Sequence, residues 1–214
     1  MQTPFYKFKK DRLLKSAEVA KFIYEVGEHP MLRQKSKEIP LKDFKSPKTK
    51  ETFRYVKKCL LAYREVTGYG RGLTAVQVGI PLSFSAIYKG DTVQNKTGGR
   101  SVSLEDIIIV ANPKITKVSK ALLTYPEMCM SLSPVVVPTV RPSWVEFSYY
   151  DENGAKKFWT DKGDTPTGRM MNRVLMHEID HIKGIVNIDL VKNPREITLH
   201  ADPDFYKLAK FKRV

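Results

Sequence analysis

Between residues 48 and 66, Phe53, Val56, Leu60 and Tyr63 recur every three or four positions among charged residues. That spacing predicts a helix with one apolar face. A second stripe, Met170, Val174, His177 and His181, has helix boundaries on both sides. Thr165 is placed to cap the start, Pro166 fits the first turn, Lys183 puts a cation in the last turn, and Gly184 falls at the left-handed C-cap. This second stripe is expected to face inward, with the two histidines continuing its apolar surface. Residues 11–25 read as a basic amphipathic helix. Strands are predicted at 84–89, 107–118, 121–125, 135–140, 144–150 and 156–160. The last two flank Asp151-Glu152-Asn153-Gly154, whose Asn-Gly pair signals a hairpin turn. The polar, glycine-containing stretch 91–103 reads as an insertion. Strands grouped together and followed by a helix indicate an α+β fold.

The chain has 214 residues, 42% apolar and 10% aromatic, with no Pro/Gly/Ser-rich linker and no internal repeat. One domain over residues 1–214 follows, with a basic extension at about 1–22 and a basic tail at about 200–214. The longest apolar run, residues 107–111, falls far short of the roughly 18 residues of a membrane span, and the N-terminus lacks a signal-type apolar region. A secreted or membrane-spanning protein is therefore not expected. Two cysteines, Cys59 and Cys129, could in principle form a bridge, but a thiolate needed as a ligand must stay reduced, which fits a cytoplasmic compartment. Lys7, Lys9, Lys10, Arg12 and Lys15 also allow an organellar transit segment, against which stand Asp11 and Glu18. The net charge of +14 describes either a solvated basic surface or one that docks on phosphate. Lys207, Lys210, Lys212 and Arg213, with no acid among them, make a tail that phosphate can attract non-specifically.

The densest chemistry lies in His177-Glu178-Ile179-Asp180-His181. Imidazoles at i and i+4 share a helix face and can converge on one cation, while the carboxylate between them stays beside that cation as a base. Five residues with three fixed letters also arise by chance, so a third ligand has to decide the matter. A further histidine six residues after the pair would complete one known zinc-protease pattern, but that position is Asn187. Asp189, Glu196 and His200 stand downstream as candidates, and Cys129 upstream.

Taken with two other segments, the pentad resembles the peptide deformylase family. Its three signatures, GxGLAAxQ, EGCLS and HExDH, are met in order. Residues 70–77 read Gly-Arg-Gly-Leu-Thr-Ala-Val-Gln, with Thr74 in place of alanine. Residues 127–131 read Glu-Met-Cys-Met-Ser, with Met128 for glycine and Met130 for leucine, and the third signature is complete. Residues 26–33 look like the family's opening segment, so the resemblance runs from about residue 23 to about residue 190. It implies mostly antiparallel sheets packed around a central helix that carries the metal pair. It also implies one divalent cation, Fe2+ by preference with Zn2+, Ni2+ or Co2+ as alternatives, held by Cys129, His177 and His181. Glu178 would then carry a proton from water to the leaving amine, and the Gln77 amide and the Met130 backbone N–H would stabilise the oxyanion. Gly70 and Gly72 would pair with substrate backbone, Arg173 would meet the substrate's first side chain, and the substrate would be an N-formyl-methionyl nascent peptide.

The same residues carry plainer readings. Gln77 can be a turn amide, the glycines can merely shape a loop, and Cys129 can be an inert buried thiol. Asp180 is expected to pair with a base, and Glu127 with Arg141. Met128 is expected to disturb the cysteine loop if glycine is needed there for a positive φ, and Arg173 puts a cation where an apolar wall is implied. Two other functions stay open: a zinc peptidase of another lineage, with its third ligand downstream, and a non-catalytic ribosome-associated protein with a vestigial metal site.

Overall fold

The computed structural model describes residues 23–27, 29–67, 70–90, 102–132 and 135–199. Helix α1 spans Pro47–Thr67 and α2 spans Pro166–Ile182. Strands β1 (Gly72–Thr74), β2 (Phe84–Tyr88), β3 (Ile107–Val118), β6 (Val145–Tyr150) and β7 (Lys156–Trp159) form one antiparallel sheet in the order β1-β2-β3-β6-β7. A smaller antiparallel sheet has the order β4 (Leu122–Met128), β5 (Val135–Pro142), β8 (Thr198–Leu199). The segments 91–101 and 200–214 and most of the expected first helix lie outside the described residues, and residues 23–25 are not helical. Among the described residues no helix is long and apolar enough to cross a membrane.

The unbroken apolar run 107–111 has a simple cause: its strand is covered on both faces. Side chains alternate, so Ile107, Ile109 and Ala111 join Phe84, Ala86 and Tyr88 against Phe53, Val56 and Leu60 of α1. Val110, Ile87 and Phe147 point the other way and pack on Met171, Leu175 and Ile179 of α2. The large sheet is thus a partition between the two helices, and α2 is held against the face from which Ser85 and Ile87 project.

The boundaries of α2 follow their signals. The Thr165 side chain accepts the Gly168 N–H, Pro166 opens the first turn, and Gly184 has φ +79°. Its inward stripe, however, is Met171, Leu175, Ile179 and Ile182, one position out of step with the expected one. Met170 is 42% exposed, Val174 and His177 are half-buried, and only His181 of the expected stripe is fully enclosed. Both stripes have helical period, so periodicity alone could not separate the face on the sheet from the face on a cavity.

Strand β4 runs three residues past its expected end, through Pro126 to Met128. Pro126 pairs with Pro138, a match tolerable only where neither residue owes the ladder an N–H, and β8 covers β5 only at Val135 and Val136. Met128 pairs with Val136 in this ladder and is not among the positive-φ residues. The expected disturbance from losing a glycine there does not arise, because the backbone is extended. The added length puts Glu127 on the inward side and delivers Cys129 to the strand's end.

Asn172, fully buried, ties α2 to the large sheet. Its Oδ1 accepts from Val145 N at 3.1 Å and Trp159 Nε1 at 3.0 Å, and its Nδ2 donates to Asp161 O at 3.0 Å and Gly168 O at 3.1 Å. Replacing it strands several buried donors and acceptors at once. Asn172→Ala is expected to lower unfolding free energy by roughly 2–4 kcal/mol in urea titration. A loss under about 1 kcal/mol would contradict this reading.

Candidate active site

One turn apart on α2, His177 and His181 set their ring centroids 4.9 Å from each other. Cys129, immediately after β4, brings its Sγ to 3.2 Å from His181 Nε2. One donor atom from each of the three lies within 4.8 Å of the others, and no other such group occurs among the described residues. A soft sulfur and two imidazole nitrogens, convergent and shielded to different degrees, form a donor set that fits a divalent transition metal ion. The downstream candidates are engaged elsewhere: Asp189 pairs with Arg33 and accepts Val186 N, and Glu196 accepts from Asn193. His200 lies outside the described residues. Cys129 and Cys59 are both free thiols.

Glu127 supports this set from below. Its carboxylate receives Arg141 in a two-pronged bond at 2.8 and 3.0 Å, Arg173 Nη2 at 2.6 Å and His177 Nδ1 at 3.2 Å. The last bond leaves the other ring nitrogen of His177 for the metal side. Arg141 also donates to Asp180, so two buried cations are balanced by the buried Glu127 and the half-buried Asp180. Burial alone would push the Glu127 carboxyl up, but the hydrogen bonds from His177 and Arg141 and the Arg141 charge bring it down to about 2. Burial likewise pulls His177 down, yet its hydrogen bonds to Cys129 and Glu127 and the charges of Cys129 and Glu178 hold its pKa well above the ordinary histidine value. His181 is driven well below that value by burial, then by the charge of His177.

Glu178 is buried beside the ligands, and burial raises its pKa against the opposing charge of His177 and the hydrogen bond from Thr74. A carboxyl moved toward neutrality suits proton transfer in both directions. Gly72 runs so close to this side chain that an added Cβ would stand 2.4 Å from Glu178 Oε1. The glycine is thus required by contact with Glu178. Gln77, 1% exposed, follows β1 in a short 3-10 turn, where its Oε1 accepts Thr74 N at 2.8 Å. That bond sets which end of the amide faces the site: Nε2 points to Ser131 Oγ at 3.1 Å and toward Cys129 Sγ at 3.8 Å.

These groups border a cavity of about 440 Å³ that is also lined by Gly70, Met130, Met170, Arg173 and Val174. Gly70 has φ +89°, and a Cβ there would strike Tyr63 and Met130. The cation introduced by Arg173 is absorbed into the wall. Besides Glu127 it reaches Thr139 O at 2.7 Å and lies over the Tyr125 ring at 4.7 Å from the centroid. All nine site residues expected from the sequence therefore border one cavity except His181, which closes the ligand set from beneath. Sequence reasoning missed the contact of the Thr74 hydroxyl with Glu178, the Ser131 contact with Gln77 and the Arg173–Glu127 pair. No local pattern announces such long-range partners.

Two outcomes follow for metal capture. Glu127→Gln removes the charge that balances Arg141 and Arg173 and weakens the hold on His177, so metal affinity in chelator competition is expected to fall about 10- to 100-fold. An unchanged affinity would contradict the supporting role. The surroundings of His177 favour its protonated form, whereas a ligating imidazole must be neutral. Metal uptake should therefore release protons, and affinity should fall as pH decreases. Affinity that stays flat between about pH 8 and pH 6 would oppose this assignment.

Similarity to known proteins agrees with this geometry. The polypeptide deformylase profile matches residues 21–196. A peptide deformylase of Picosynechococcus sp. is 31% identical over 163 residues, covering 76% of this chain and 75% of that protein. One from Borreliella burgdorferi is 29% identical over 159 residues, covering 74% and 81%. Among solved structures, a probable peptide deformylase from Synechococcus phage S-SSM7 superposes with TM-score 0.62 at 27% identity, covering 78% of this chain and 97% of that one. The Synechococcus elongatus enzyme in complex with actinonin gives 0.60 at 26% identity, covering 87% and 82%. The chain belongs to the polypeptide deformylase family.

Proposed function

We propose that Cys129, His177, His181, Glu178, Gln77 and Met130 carry the reaction this chain shares with its family, removal of the N-terminal formyl group from peptides. The observation that carries the assignment is the convergence of one sulfur and two imidazoles beside a buried carboxyl on one cavity wall. A divalent cation held by the three ligands supplies Lewis acidity that makes water nucleophilic near neutral pH. Fe2+ is proposed as the native ion. A thiolate with two imidazoles also suits Zn2+, Ni2+ and Co2+.

Glu178 takes a proton from the attacking water as its oxygen bonds to the formyl carbon, and gives that proton to the peptide nitrogen as the C–N bond breaks. Formate and a free amine leave. Negative charge that builds on the former formyl oxygen faces the Gln77 Nε2 amide, whose orientation is fixed by Thr74 N, and the Met130 backbone N–H. The β1 segment with Gly70 and Gly72 offers backbone to the peptide, and the missing side chains leave it room. Met170, Val174 and the aliphatic stem of Arg173 form the wall for the first side chain, methionine.

The substrates are N-formyl-methionyl nascent peptides, in the cytoplasm or an organellar matrix. Ribosomal RNA is a fitting surface partner on charge alone, since +14 attracts phosphate with strong salt dependence.

Metal-loaded protein is expected to release formate from formyl-Met-Ala-Ser. Glu178→Gln should retain the ion and lose about 10³-fold in kcat, and Cys129→Ser should lose the ion. A folded, loaded protein that releases no formate would overturn the reading. Intact metal binding in Cys129→Ser would favour a peptidase whose third ligand lies downstream.

A further inference from the structure

The family signature has alanine where this chain has Thr74, and the hydroxyl gained there touches Glu178. Thr74 Oγ1 lies 2.6 Å from Glu178 Oε2 and 2.8 Å from Ser85 Oγ, its register partner across β1 and β2. A hydroxyl has one proton to give. The short contact to a carboxylate is the stronger demand, ahead of the Glu178 backbone oxygen at 3.2 Å. Ser85 then donates to Thr74. The order of donation is Ser85 to Thr74 to Glu178.

This relay has little freedom. Thr74 is fully buried, Ser85 is 1% exposed, and a β-branched side chain has few χ1 choices. A glutamate carboxyl, by contrast, turns easily about its last bond. With Oε2 bonded to Thr74 and Oε1 in the space that a side chain on Gly72 would fill, both sides of the Glu178 carboxyl are set. We infer that Thr74 is a positioning residue for Glu178, holding Oε2 through the Ser85–Thr74 relay so that Oε1 is the oxygen that exchanges the proton with water and leaving amine. This rests on Glu178 as the proton carrier.

The test is steady-state formate release by metal-loaded Thr74→Ser, Thr74→Val and Thr74→Ala, with metal content and thermal unfolding measured for each. Serine keeps the donor, valine keeps the shape without it, and alanine leaves space for water to stand in. Expected kcat is within about threefold of the parent for serine and about tenfold lower for valine, with alanine between them and KM within about twofold throughout. If valine does not fold, the alanine and serine pair decides. Parent-level kcat in valine or alanine would overturn the role of Thr74, as would serine falling as far as valine or a change in KM alone. Glu178→Gln separates the two assignments. Full activity there would remove the premise, whereas its loss combined with an unaffected Thr74→Val would remove only the role of Thr74.

Discussion

A single buried carboxylate, that of Glu127, joins the two halves of this molecule. It is the penultimate residue of the small sheet's first strand, two residues before Cys129, and it binds His177 and Arg173 from the helix behind the large sheet. Arg141 on β5 grips it from the neighbouring strand and reaches on to Asp180 of that helix. The sulfur ligand and the imidazole ligands come from separate elements, and this network sets the distance between them. Buried ion pairs add little net stability, but removing one partner leaves an uncompensated charge, a loss of about 3–5 kcal/mol. The arrangement is better understood as a device for geometry: two cations and two anions whose positions allow few alternatives.

Much of the fold can be read from local pattern. The α1 helix appears in the recurrence of Phe53, Val56 and Leu60, and the ends of α2 appear in Thr165, Pro166 and Gly184, because capping is decided within one turn of chain. Five of the six expected strands appear within two residues of their true limits. Three things were not local. The orientation of α2 depends on which of two apolar stripes meets the sheet. The reach of β4 depends on Pro138 standing opposite Pro126, and the short strands β1 and β8 exist only because a neighbour pairs with them. In each case the deciding partner lies far away in sequence.

The candidate site was legible because its proposed ligands and proton carrier sit in three short strings of fixed order, whose residues the structure brings together. The departures from those strings were harder to weigh. The ladder keeps Met128 extended, and Glu127, Thr139 O and the Tyr125 ring receive the charge of Arg173. Thr74 changes the surroundings of the proton carrier itself, through a hydroxyl that only the strand register brings beside Glu178. A substitution's meaning depended on what stood across from it, which no signature records.

The central claim is that one sulfur and two ring nitrogens from different elements share a single ion. X-ray absorption at the metal edge of zinc-loaded protein addresses it directly. The account predicts one sulfur at about 2.3 Å and two imidazole nitrogens at about 2.0–2.1 Å in the first shell. A shell of nitrogen and oxygen without sulfur would contradict it.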